Sequence, residues 1–119
     1  SLWETADWKP EHVAVADEAE LFVVAPATAN FIGKFANGIA DDALTTTALA
    51  FHGKTLIAPA MNTHMWRHPA VQNNCETLRS WNIDSVGPAS GHLACGDVGE
   101  GRMAEVPEIL AKINELLKD

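Results

Sequence analysis

Two short apolar runs, each closed by Ala-Pro, constrain this chain more than any other feature. Leu21-Phe22-Val23-Val24-Ala25 stops at Pro26, and Thr55-Leu56-Ile57-Ala58 stops at Pro59. Unbroken apolar runs of this length, with β-branched residues, suit strands buried on both faces, the kind that parallel sheets contain. Proline cannot donate to a ladder, so each run is expected to leave the sheet at its Pro. The segments between and after them read as helices. Residues 30–36 form one, with Thr28 or Asn30 available as its cap and Gly38 near its end. Residues 41–51 form a second, with Asp41 and Asp42 in a first turn where the macrodipole favours acid, stopped by His52-Gly53. Further helices are expected over 10–19, with Pro10 in its first turn, and over 69–81, with Val71, Cys75 and Leu78 on one face. The last spans 106–117, with Val106, Ile109, Leu110, Ile113, Leu116 and Leu117 on one stripe. Ser85-Val86 suits a short third strand. Strands alternating with helices imply an α/β fold, a parallel sheet with helices on both faces. Residues 87–103 hold five glycines and no period, and are expected to be a structureless loop, a lid or a disordered stretch.

At 119 residues the chain is one domain at most. A net charge of −8 with no Lys/Arg cluster argues against nucleic acid. No 18-residue apolar run suggests a membrane span, and no basic-then-apolar start suggests a signal peptide. Two cysteines are too few for a disulfide framework, so a reducing cytoplasm is the expected location.

In a doubly wound sheet, ligands bind beyond the carboxyl ends of the strands. Ala25-Pro26-Ala27-Thr28-Ala29-Asn30 and Ala58-Pro59-Ala60-Met61-Asn62 both lie there. Alanines let a flat ligand approach the backbone, and Asn30 and Asn62 bring amides with two donors and an acceptor each. Either segment alone also reads as an ordinary turn with an Asn cap; the pair favours a ligand site. Cys75 sits on an apolar face as a structural cysteine does, whereas Cys95 lies among glycines, where a thiol can exchange a proton or simply pack. His64 and His68 have a spacing that suits two metal ligands on one helix face, but Pro69 disfavours helical geometry at His68, and no metal is expected. His52 reads as a solvated residue after a helix end. His12 suits the core, the surface or catalysis equally.

Pro59-Ala60-Met61-Asn62-Thr63-His64-Met65-Trp66 matches P-x-M-N-x-x-M-W and resembles the signature of the flavin-containing cysteine decarboxylases. Leu93-Ala94-Cys95-Gly96-Asp97-Val98-Gly99-Glu100-Gly101-Arg102-Met103, within a clamp taken as 87–103, resembles that family's substrate-recognition clamp. Ala25–Asn30 resembles its flavin loop. The resemblance implies a Rossmann-like flavoprotein fold, of which residues 1–119 would be a partial domain. The family's N-terminal strand, Gly-rich loop and second strand, which hold much of the FMN and its phosphate, have no counterpart in the sequence, so a sheet edge is expected to lie uncovered. Carried over, His12 and Cys95 fall on catalytic positions. Asn62, Met65, His92, Leu93 and Ala94 fall on substrate-binding positions, and Thr28, Ala29, Asn30, Phe31 and Ala60 on FMN-contacting ones.

The implied reaction is FMN-dependent decarboxylation of 4'-phosphopantothenoylcysteine in coenzyme A biosynthesis. It would run by oxidation to a thioaldehyde, loss of CO2 and re-reduction. Asn62 would orient the carboxylate, His12 would transfer a proton, and Cys95 would supply the last one. The alternatives are a decarboxylase of peptidyl C-terminal cysteine and a non-catalytic regulatory relative. The family also implies trimers or dodecamers of trimers, with fusion to or pairing with a phosphopantothenate-cysteine ligase. Trp3, Trp8 and Trp66 suit either a subunit interface or the core.

Overall fold

The structure is a computed structural model that describes residues 20–92 and 98–118. The expected helix over 10–19, His12, Leu93, Ala94 and Cys95 lie outside the described residues, as does the side chain of His92.

Strands β1 (Leu21–Ala27), β2 (Lys54–Pro59) and β3 (Asp84–Ser85) form a parallel sheet in the order β1-β2-β3. Helices α1 (Ala29–Ala36) and α2 (Ala43–Ala50) link β1 to β2, and α3 (Thr63–Arg67) and α4 (Pro69–Ser80) link β2 to β3. An antiparallel ribbon of β4 (Ala89–His92) and β5 (Val98–Arg102) follows, then α5 (Val106–Leu117).

The central strand shows how the sequence divides the layers. Successive side chains of a strand point to opposite faces. Ile57 joins Val24, Phe31, Ile32, Phe35, Ala48 and Leu78 in one cluster, built from α1, α2 and α4. Ala58, next along β2, joins Ala104 and Ile109 on the other face, under α5. Helices therefore cover both faces. The ends of the helices follow local chemistry. Thr28 caps α1 by accepting the Phe31 N–H at 3.1 Å. Gly38, at φ 73, closes α1 where a left-handed residue is needed, so that the Ile39 N–H reaches the Lys34 carbonyl at 2.9 Å.

Several expectations are corrected. Asp42 is the N-cap of α2 rather than a first-turn residue, in a capping box with Thr45, and Asp41 pairs instead with Lys34 at 2.9 Å. β1 is not buried on both faces: Leu21, Phe22 and Val23 are half-buried, and Ala25 and Pro26 exposed. Among the described residues only β2 pairs with it. Neither proline ends the ladder before itself. Pro26 lies inside β1, where the register shifts between Val24 and Ala27, and Pro59 is the last residue of β2. Residues 87–103 are not structureless, because 89–92 and 98–102 pair as a ribbon. α3 is an additional helix, and His68 ends it in extended geometry, at ψ 134, ahead of Pro69.

Candidate functional site

The two Ala-Pro strand ends meet side by side at the carboxyl edge of the sheet. The Ala60 N–H donates to the Ala27 carbonyl at 3.1 Å. Ala27 is fully buried, Ala29 and Ala60 are half-buried, and the side chains of Thr28 and Asn30 are exposed. The N–H groups of Ala29 and Asn30, in the first turn of α1, have no acceptor within the helix. Small side chains flanked by backbone donors fit a flat ring system that carries hydrogen-bond acceptors. Phe31 serves this edge from beneath: its ring is 4% exposed and lies 5.5 Å from that of Phe35, while its N–H is taken by Thr28. Of the expected ring-contacting residues, Thr28, Ala29, Asn30 and Ala60 present themselves at the edge, and the Phe31 side chain faces the core.

Asn62 sits at the mouth of the second strand end. Its Oδ1 accepts the Met65 N–H at 3.0 Å and caps α3. The other end of the amide, Nδ2, has no partner among the described residues, which leaves its two donors available to a ligand. The sequence left an Asn cap and a ligand contact as alternatives for this residue; the two halves of one amide are free to serve both. Met65, also expected at the substrate, is 46% exposed on α3 beside it.

The β5 strand closes against this turn, which the sequence reading did not foresee. The Met61 N–H donates to the Gly101 carbonyl at 2.8 Å, and the Thr63 hydroxyl donates to the Glu100 carbonyl at 2.5 Å. Arg67 Nε reaches Glu100 Oε1 at 3.1 Å. Gly101 has φ 125, and a Cβ there would stand 2.1 Å from the Met61 carbonyl oxygen, so this approach requires glycine. Thr63 lies in the P-x-M-N-x-x-M-W segment and Glu100 and Gly101 in the clamp segment, but nothing in the sequence marks them or Arg67 for these contacts, because each is with a partner more than thirty residues away in the chain.

The remaining candidates are placed elsewhere. The His68 ring caps α4, its Nδ1 accepting the Ala70 N–H at 3.0 Å. Among the described residues no three His, Cys, Asp or Glu side chains are grouped to hold a metal ion. Cys75 is half-buried against the core. Burial pushes its thiol above the ordinary value, with Arg79 opposing and Glu76 adding to the rise, so at neutral pH it is a protonated packing group. Trp66 is half-buried.

Matching against protein families decides the wider identity, since the profile described as Flavoprotein spans residues 1–118. The chain belongs to the Flavoprotein family. It is 55% identical over 104 residues to the coenzyme A biosynthesis bifunctional protein CoaBC of Bacillus subtilis, covering 87% of this chain and 25% of that protein. Among solved structures it superposes with a TM-score of 0.91 and 32% identity on a PPC decarboxylase, a cysteine-to-serine mutant complexed with pantothenoylaminoethenethiol. That match covers 100% of this chain and 66% of that one. The FMN-binding protein AtHal3 matches with a TM-score of 0.84 and 32% identity, over 98% of this chain and 66% of that one. These family members share the Rossmann-like architecture seen here. The chain therefore spans a quarter of the bifunctional relative and about two-thirds of the solved chains.

Proposed function

We propose that this chain forms the larger part of an FMN-dependent carboxy-lyase domain that converts 4'-phosphopantothenoylcysteine to 4'-phosphopantetheine in coenzyme A biosynthesis. The observation that carries the reading is the divided amide of Asn62, held by the α3 cap with its donors free beside the alanine-lined edge. The names of the similar proteins support this reading: one solved structure is a PPC decarboxylase, and the Bacillus relative is a bifunctional protein of coenzyme A biosynthesis. Fusion to or pairing with a ligase, a trimeric or dodecameric assembly and a cytoplasmic location belong to this reading. No helix among the described residues is long and apolar enough to cross a membrane.

A cysteine-derived carboxylate does not lose CO2 unaided, because the carbanion left behind has nowhere to place its charge. FMN held there would supply a reversible two-electron acceptor for the substrate's C–S unit, the electron sink that the carboxylate lacks. The protein's part is orientation and proton handling. Thr28, Ala29, Asn30 and Ala60 would hold the ring, Phe31 supporting them from the core side. Asn62 Nδ2 donates to the carboxylate and aims it, and Met65 lines the same mouth. His92, Leu93 and Ala94 are assigned to the substrate, His12 to proton transfer and Cys95 to the final protonation, all on their motif positions.

Cys95→Ser in the full-length protein tests the assignment. A hydroxyl is a far weaker acid than a thiol with a pKa of about 8.5, so the last step stalls. CO2 is still released, and a product lighter than the normal one by two hydrogens accumulates. Mass analysis showing only the ordinary decarboxylated product would remove the proton-donor role. A C-terminal-cysteine peptide run beside 4'-phosphopantothenoylcysteine separates the two substrate classes: the reading requires turnover of the latter.

A further inference from the structure

The β4–β5 ribbon is a two-stranded element, and such ribbons are marginal in water unless something else holds them. Within the ribbon, Arg102 Nη2 reaches the Ser90 carbonyl at 3.4 Å. The anchoring of β5 to the ligand edge comes instead from a short stretch on the other side of the Asn62 turn. Backbone and hydroxyl contacts from Met61 and Thr63 meet Gly101 and Glu100. One side-chain ion pair, Arg67–Glu100 at 3.1 Å, joins the far end of α3 to the same strand. Residue 62 lies between the first two contacts, so a shift of β5 along any of them moves the turn that carries Asn62.

We infer that Arg67 and Glu100 are positioning residues: their ion pair latches the ribbon to the Asn62 turn and thereby sets the affinity for substrate. The inference rests on the proposed decarboxylase reading, and it adds to that reading two residues outside the set assigned to ring and substrate. Both side chains are substantially exposed, at 64% and 47%, so the pair contributes little to overall stability. Its loss therefore shows in the register of the ribbon rather than in whether the protein folds.

The test uses Arg67→Gln, Glu100→Gln and the double exchange Arg67→Glu/Glu100→Arg in the full-length, FMN-loaded protein, with 4'-phosphopantothenoylcysteine as substrate. The two single variants change the local charge in opposite directions. A latch requires both to raise KM about two- to threefold with kcat unchanged, and the double exchange to restore it. Hydrogen exchange at the Met61 amide, which is bonded to Gly101, is followed without substrate and should quicken in both single variants and recover in the double one. If Glu100→Gln lowers KM while Arg67→Gln raises it, the pair acts on the anionic substrate by charge alone and the latch is overturned. Unchanged KM or unchanged Met61 exchange in both single variants also overturns it. Should the unsubstituted protein turn over no 4'-phosphopantothenoylcysteine, the decarboxylase reading fails by itself, and the Met61 exchange alone then decides the latch.

Discussion

The two strands that end in Ala-Pro are near-copies in sequence and opposites in the structure. From Thr55 to Pro59 every residue of β2 is buried, with neighbours on both edges and helices over both faces. β1 buries only Val24 and Ala27, and its last turn before α1 is open. Apolar content is the same kind in each; place in the sheet differs. A continuous apolar run therefore tells what a strand can tolerate, while its burial is decided by what pairs with it. The candidate ligand edge draws on both conditions. β2 supplies a buried floor, and the more open end of β1 leaves Thr28 and Asn30 accessible.

Three experiments press on that contrast, in order of expected effect. The largest concerns the turn that β2 supports. Aspartate in place of Asn62 can still cap α3, since a carboxylate oxygen accepts the Met65 N–H, but it lacks donors and sets a negative charge against the substrate carboxylate, a contact worth several kcal/mol in a poorly hydrated site. Asn62→Asp in the full-length protein should cut kcat/KM by on the order of 10³ with FMN content and melting temperature near normal; a loss of only a few-fold means that Asn62 does not hold the carboxylate. Next come matched truncations in the two strands of the 119-residue chain. Ile57→Ala, in the buried cluster, should cost about 2–5 kcal/mol in denaturant unfolding, and Val23→Ala, half-buried on β1, less than about 1 kcal/mol. Equal costs would show β1 to be as covered as β2. The smallest effect lies away from both strands. The backbone N–H and then the hydroxyl of Thr45 hold the Asp42 carboxyl below its ordinary value of 3.8. A depressed folded value means that the charge stabilises the fold above pH 3.8 and ceases to do so as pH falls through the lower folded value. The melting-temperature advantage over Asp42→Asn should therefore be flat at neutral pH and shrink in that acid window.

Much of this was legible because it is local. The strands announce themselves by apolar runs, α5 by its period, and the close of α1 by Gly38. The family resemblance was carried by contiguous motifs for the same reason. What escaped is non-local or too short to have a period. α3 covers 5 residues, barely more than a turn. β5 reads Val98-Gly99-Glu100-Gly101-Arg102, with glycines where alternating side chains would mark a strand. The approach of Gly101 to Met61 and the Glu100 contacts depend on partners that no window of sequence contains. Phe31 shows the limit from the other side: the motif places it at the ring, and only the packing shows that its side chain faces inward.

The double role proposed for Asn62 would also shape how such a protein can drift. A lineage released from catalysis still needs a cap on α3, and Asp, Ser or Thr would each provide one, so the fold survives many replacements at this position. None of these keeps the pair of amide donors. Loss of chemistry and loss of structure are thus uncoupled at this one site, and a descendant that has traded the reaction for a regulatory task could carry an intact scaffold with a single changed letter.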